Sequence, residues 1–237
     1  RPEDHRHDPV ARTATTRSGS GFTVPSTFVT GYRYAQLGYT TVVEAAVPPL
    51  EARHAHAELA DIPIVDKASL VLMGNNHFIM NMIRDGEKER LLDYVTWLLK
   101  STGGYGIKVV NPGGVANWRQ RGNVSHLDHE VVDYGVTPRQ IIDSLLDLNI
   151  ELGLPHSIHL HCTGLGQPGS DEMTLATMKL AAGRPLHITH LQFNSYQKSE
   201  GVPFRSGAEK LAAYINDHPQ ITVDVGQIVF GPATTMT

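Results

Sequence analysis

Hydrophobic positions along the chain fall into two alternating kinds of stretch. Short runs of β-branched and apolar residues read as buried strands at Thr40 to Val47, Ile64 to Met73, Tyr105 to Val110, Ser157 to His161, Leu186 to His190 and Ile221 to Val225. Helical patterns lie between them, about Pro49 to Ala60, His77 to Lys100, Glu172 to Ala182 and Arg205 to Asn216, after a first helix over Thr27 to Leu37 that stops at Gly38. The best-marked helix opens at Thr137. That residue can cap, Pro138 suits the first turn and Gln140 stands at the capping-box position. Ile141, Leu145, Leu148 and Leu152 then share one face, and Gly153 ends the helix. Residues 111–136, rich in Gly and Asn, read as a long loop.

Six strands separated by helices, with no hairpin signal, predict a parallel sheet covered by helices. A doubly wound sheet and a barrel both satisfy this pattern. No G-x-G-x-x-G follows a strand, and the reactive side chains sit at the carboxyl ends of several strands, which favours a (β/α)8 TIM-type barrel. A whole barrel takes about 250 residues. Six strands in 237 residues therefore predict a partial barrel, incomplete in this fragment, over residues 22–237, behind a polar leading segment over 1–21. A first residue of Arg1 rather than Met agrees with that reading.

Composition narrows the function. A chain that is 41% hydrophobic and 19% charged is globular rather than disordered. With 20 Lys and Arg against 24 Asp and Glu, and no basic run, nucleic acid is an unsuitable partner. No stretch resembles a signal peptide or a membrane span, and a single cysteine excludes an internal disulfide, so a cytoplasmic protein is expected. The 13 histidines are the anomaly, roughly double the average usage, and several lie inside apolar runs where an imidazole needs a partner.

Lys108 is the sharpest of the chemical candidates, placed in the carboxyl half of an apolar strand and followed by Asn111-Pro112-Gly113-Gly114. Such a lysine either snorkels to the barrel mouth, binds substrate or a counter-ion there, or has a depressed pKa because burial disfavours its ammonium form. A neutral amine can add carbon dioxide to become a carbamate, an anionic ligand with two oxygens. His159 and His161 stand two apart on the next strand and so share a face; His161, nearer the carboxyl end, is the preferred ligand, with His159 behind it or packed in the core. His190 ends the following strand, and a spacing of three puts His187 on the opposite face. Lys108, His161 and His190 are thus expected at matching ends of three successive strands.

Other residues are weaker candidates. Asn75, Asn76 and Asn111 follow strands and could bind a substrate amide, with Asn76 and Asn111 retained as substrate contacts. His54 and His56 lie two apart on a helix and point apart, as surface residues. His5 and His7 have no strand beneath them, His77, His126 and His129 sit in or beside loops, and Cys162 reads as a small buried residue.

A lysine on one strand end followed by a histidine on each of the next two is similar to the middle of the amidohydrolase superfamily's metal site. The runs VPSTFVTGYRYAQLGYTTVVEAAVPPLEARHAH, GYGIKVVNPGG, LPHSIHLHCTGLGQPG, ITHLQFNSY and ITVDVGQI also resemble the A subunits of formylmethanofuran dehydrogenases and of bacterial formyltransferase/hydrolase complexes, along the whole chain. The resemblance implies a barrel with two zinc ions bridged by an N6-carboxylated Lys108, with His161 and His190 as further ligands. It implies hydrolysis or formation of the formyl amide of a furan-amine one-carbon carrier. It further implies partner subunits, formyltransferase-like or molybdenum- or tungsten-dehydrogenase subunits, since no Cys-rich iron–sulfur pattern occurs in this chain. The family's H-x-H pair and its last-strand aspartate match no residue here and are expected before Arg1 and after Thr237; Asp224, on what would be the seventh strand, is not equated with that aspartate. A cyclic-amide hydrolase of the dihydroorotase or hydantoinase type, and a metal-free scaffold barrel, are the competing readings.

Overall fold

A computed structural model describes residues 27–199 and 205–226, so the leading segment with His5 and His7 lies outside the described residues. Two compact units divide the chain. The smaller one holds helix α1 (Thr27–Gln36), helix α2 (Ala52–Ala60) and the leading ends of strands β1 (Thr41–Val47) and β2 (Asp66–Leu72). His54 and His56 are exposed on α2, as their spacing predicts.

The larger unit, Ala45–Pro49 with Ser69–Gly226, contains the remaining elements. These are helices α3 (His77–Arg84) and α4 (Lys88–Thr102), strand β3 (Gly106–Val110), helices α5 (Gly114–Arg121) and α6 (Pro138–Glu151), strand β4 (Ile158–His161), helix α7 (Ser170–Leu180) and strand β5 (Leu186–Ile188). A two-stranded ribbon of β6 (Tyr196–Gln197) and β7 (Arg205–Ser206), helix α8 (Ala208–Asn216) and strand β8 (Ile221–Val223) complete it.

The main sheet has six strands in the order β1-β2-β3-β4-β5-β8, and the pairings from β2 onward are parallel. A doubly wound sheet reverses its order at a switch point, whereas this one never does. Sequential parallel order with a helix after each strand is the arrangement of a TIM-type barrel, present here as part of one. Helix and sheet faces meet in one apolar core: Val71, Ile107, Val109, Ile158, Leu160 and Ile188 from the strands pack with Ile141, Leu145 and Leu148 of α6, all essentially without solvent contact.

Helix α6 starts as predicted. Thr137 accepts from the Gln140 amide while the Gln140 side chain accepts from the Thr137 amide, and Pro138 occupies the first turn. The helical segments expected over His77 to Lys100 are α3 and α4, parted where Gly86 takes φ +68° between Arg84 and Lys88. Two expectations need correction. The stretch 111–136 is not all loop, since α5 forms inside it. The signals for α5 are not local: Gly113 enters at φ +70°, where a Cβ would come within 2.3 Å of Val131 Cγ2, and the cap is Asn75, 40 residues upstream, whose Oδ1 accepts from Val115 and Ala116. The last helix begins at Ala208, because Arg205–Ser206 pairs antiparallel with Tyr196–Gln197, a hairpin too short to pattern the sequence.

Candidate metal centre

Register places the reactive residues. Lys108 of β3 stands level with His159 of β4, His159 with His187 of β5, and His187 with Thr222 of β8. His161 lies two residues further along β4, level with Val110 and on the same side as His159. The carboxyl ends of four neighbouring strands thus supply one polar cluster.

Lys108 is 4% exposed, and its Nζ donates to Nδ1 of His159 at 2.6 Å. Burial is the main influence on its pKa, with the Asp224 charge opposing, and brings it down to about 8. At that value a useful fraction of the amine is neutral near physiological pH. His159 is pushed down to about 3 by burial and then by the Lys108 charge, and His161 to about 3 by burial and then by His190. His190 is lowered as well, chiefly by burial. Neutral imidazoles with free lone pairs are what a metal ion requires of its histidines.

Two groups of donors form. His159, His187 and Asp224 each offer an atom, all within 4.8 Å of one another, with His187 Nε2 on Asp224 Oδ2 at 2.9 Å and His159 Nε2 3.6 Å from the same oxygen. Beside them, Nε2 of His190 meets Nδ1 of His161 at 2.9 Å, the rings edge to face. Asp224 joins the groups: it also accepts from Thr189 Oγ1 at 2.9 Å and from the backbone amide of His190. Burial works against its charge, but the bonds from His187, the His190 amide and Thr189 prevail and hold the carboxyl below its usual range.

The expected trio of Lys108, His161 and His190 therefore lies within a cluster of six, which also includes His159, His187 and Asp224. The opposite-face expectation for His187 fails for a backbone reason. Strand β5 ends at Ile188 and His190 takes the left-handed conformation, φ +40° and ψ +52°, so alternation is broken between the two and both rings meet the same cluster. Asp224 lies one residue past β8, at the same strand-end level. A carboxylate directly after an apolar run was the available signal for it.

The remaining candidates make other contacts. Asn76 caps α3, its Oδ1 accepting from Phe78 and Ile79. Asn75 spans β3 and α5, donating to the Val110 carbonyl at 2.7 Å. Asn111 has φ +42° and donates to Asn123 Oδ1 at 2.9 Å, while its own Oδ1 is buried without a partner among the described residues. Cys162 is buried, and burial drives its thiol up to about 12, which suits the inert role. His77 bonds Tyr134 and Asn81, and His129 bonds Ser125; neither they nor His126 reach the cluster.

Comparison with known proteins follows the same direction as this geometry. The family model described as Amidohydrolase family matches residues 6–237. The chain is 44% identical to Protein FwdA of Methanocaldococcus jannaschii over 248 residues, covering 100% of the chain and 44% of that protein. It is 41% identical over 213 residues to the A subunit of the formyltransferase/hydrolase complex Fhc of Methylorubrum extorquens, covering 87% of the chain and 39% of that relative. The chain thus spans less than half the length of these relatives. A crystal structure of the formyltransferase/hydrolase complex FhcABCD from Methylorubrum extorquens, in complex with methylofuran, matches with a TM-score of 0.84 at 41% identity, over 87% of the chain and 38% of the matched one. No helix among the described residues is long and apolar enough to cross a membrane.

Proposed function

The chain belongs to the amidohydrolase family, and from that premise we propose that the full-length protein hydrolyses or forms the formyl amide of a furan-amine one-carbon carrier. In this reading it is the A subunit of a cytoplasmic multisubunit complex that also contains formyltransferase-like or molybdenum- or tungsten-dehydrogenase subunits. The observation that carries the reading is the buried Lys108 amine, seated at a strand end among four histidines and an aspartate. The relatives' names supply the substrate class and the complex.

The donor set fits a binuclear zinc centre. Imidazole nitrogens and a carboxylate oxygen are ordinary zinc ligands, and within the larger unit they cluster closely enough to be drawn onto shared ions. Lys108 would serve as the bridge: its neutral amine forms an N–C bond to carbon dioxide, loses one proton to solvent and becomes a singly charged carbamate. His161 and His190 would be ligands, with His159 and His187 beside them; the H-x-H pair that the resemblance adds to the set matches no residue of this chain. When bound, the zinc ions supply Lewis acidity that polarises the formyl carbonyl and acidifies a water. Asp224, with its depressed pKa and three hydrogen-bond donors, acts as a clamp that orients the His187 ring and the His190 backbone. Proton transfer to the departing amine is the work of a carboxylate nearer neutrality; the resemblance assigns it to the last-strand aspartate that no residue of this chain matches.

Metal analysis by mass spectrometry on the full-length protein, with the mass of the peptide carrying Lys108 read under carbamate-preserving conditions, tests the proposal. About two zinc per chain and a carboxylated Lys108 are expected, followed by release of formate from the formylated carrier. Turnover of cyclic amides instead would move the protein to the dihydroorotase and hydantoinase group. Absence of metal with an unmodified lysine would leave a scaffold.

A further inference from the structure

Asn194 lies in the 3-10 turn directly after His190 and is 0% exposed, yet its Oδ1 has no hydrogen-bond partner among the described residues. Its Nδ2 faces Nδ1 of His190 at 3.4 Å and the Thr189 carbonyl at 3.5 Å. The other nitrogen of the same ring, Nε2, meets His161 Nδ1 at 2.9 Å. An unpaired buried carbonyl carries a desolvation penalty that a leucine would avoid.

We infer that Asn194 is a positioning residue for His190: its amide donates to Nδ1 in the metal-free chain and, turned end for end, accepts from Nδ1–H once Nε2 gives its lone pair to a metal. The inference rests on the metal centre proposed above. A neutral imidazole has one donor nitrogen and one acceptor nitrogen. Without metal, one proton sits between His190 Nε2 and His161 Nδ1. When His190 holds it, Nδ1 is an acceptor facing the amide NH2, as the geometry places it. Were His190 Nε2 to hold a metal it could keep no proton, so the proton would sit on Nδ1 and need an acceptor.

The Asn194 amide supplies that acceptor without a change of volume, because its oxygen and nitrogen ends are nearly equal in size. Its backbone stays fixed meanwhile, since Thr174 Oγ1 donates to the Asn194 carbonyl at 2.8 Å. The oxygen that is unpaired without metal is therefore the one that the loaded state uses. Partners of this kind set the tautomer and ring orientation of a ligating histidine, and their loss typically weakens metal binding 10–100-fold.

The experiment is zinc affinity, measured on the full-length protein by competition with a chromophoric chelator, with urea midpoints of the metal-free forms followed alongside. Asn194→Leu is expected to bind zinc about 10–100-fold more weakly, and Asn194→Asp, which keeps the acceptor, within about threefold of the parent or tighter. Should the leucine variant fail to fold, Asn194→Ser replaces it, its hydroxyl being too short to reach the ring. Affinity of the leucine or serine variant within about threefold of the parent overturns the inference, and so does an aspartate variant as weak as they are. A parent that takes up no zinc, or a His190→Ala variant that binds it as the parent does, defeats the proposed metal centre instead and is a separate result.

Discussion

Holding an ammonium at a position 4% exposed costs stability, and Lys108 offers a way to read that cost. Its pKa falls from an ordinary 10.5 to about 8 in the folded chain. The unfolded chain therefore binds more protons than the native one between those values, so native stability rises with pH there and the penalty is fully present below pH 8. The difference amounts to about 3 kcal/mol at pH 7 and roughly half that at pH 9.5. Lys108→Met keeps the length of the side chain and removes the charge, at the expense of one hydrogen bond to His159 worth about 1 kcal/mol. The metal-free variant should then be more stable than the metal-free parent by about 2 kcal/mol at pH 7, with the advantage fading by pH 9.5. Urea unfolding of chelator-treated full-length protein at the two pH values measures it. A variant that is less stable than the parent at pH 7, or an advantage that does not shrink with pH, would show that the amine is solvated and the reasoning wrong.

The histidines should respond to pH with the same sign, in a lower window. His159 and His161 titrate near 6.5 when unfolded but at about 3 when folded, so metal-free stability should fall as pH drops from 6.5 toward 3, by on the order of 1.4 kcal/mol per pH unit for each; His159→Phe should flatten the slope seen in urea midpoints. Thr137→Ala removes the cap of α6 and should cost about 1 kcal/mol by thermal melting, while Thr137→Ser restores most of it. Gly113→Ala would drive a Cβ against Val131 at a backbone angle of φ +70°, and a loss of about 2 kcal/mol or more is expected, with helicity by circular dichroism reporting whether α5 survives.

The sequence already disclosed the strand order, the α6 capping box and the gathering of Lys108, His161 and His190 toward the carboxyl ends of their strands, because each depends on local pattern or on spacing along one strand; the register itself sets Lys108 level with His159 instead of His161. What escaped it depends on contacts made across the chain. Helix α5 is capped by Asn75, which no window around residues 111–121 contains. His187 faces the cluster through its register with His159, and His190 joins it from the same side because it is left-handed, its backbone N–H hydrogen-bonded to Asp224, with no glycine or asparagine to signal that turn. Asp224 itself, set aside on strand count, earns its place from its bonds to His187, Thr189 and His190.

The cluster draws on four successive βα units, with Lys108 emerging first and Asp224 last, more than a hundred residues later. At ribosomal rates that interval is on the order of ten seconds. Throughout it the Lys108 amine belongs to a growing chain in which β8 has not yet paired with β5, so no early stretch of the nascent polypeptide can present all six side chains of the cluster. In the proposed centre, capture of an ion would thereby await β8, and a chain that stalls before it would lack the carboxylate that bonds His187 and the His190 amide.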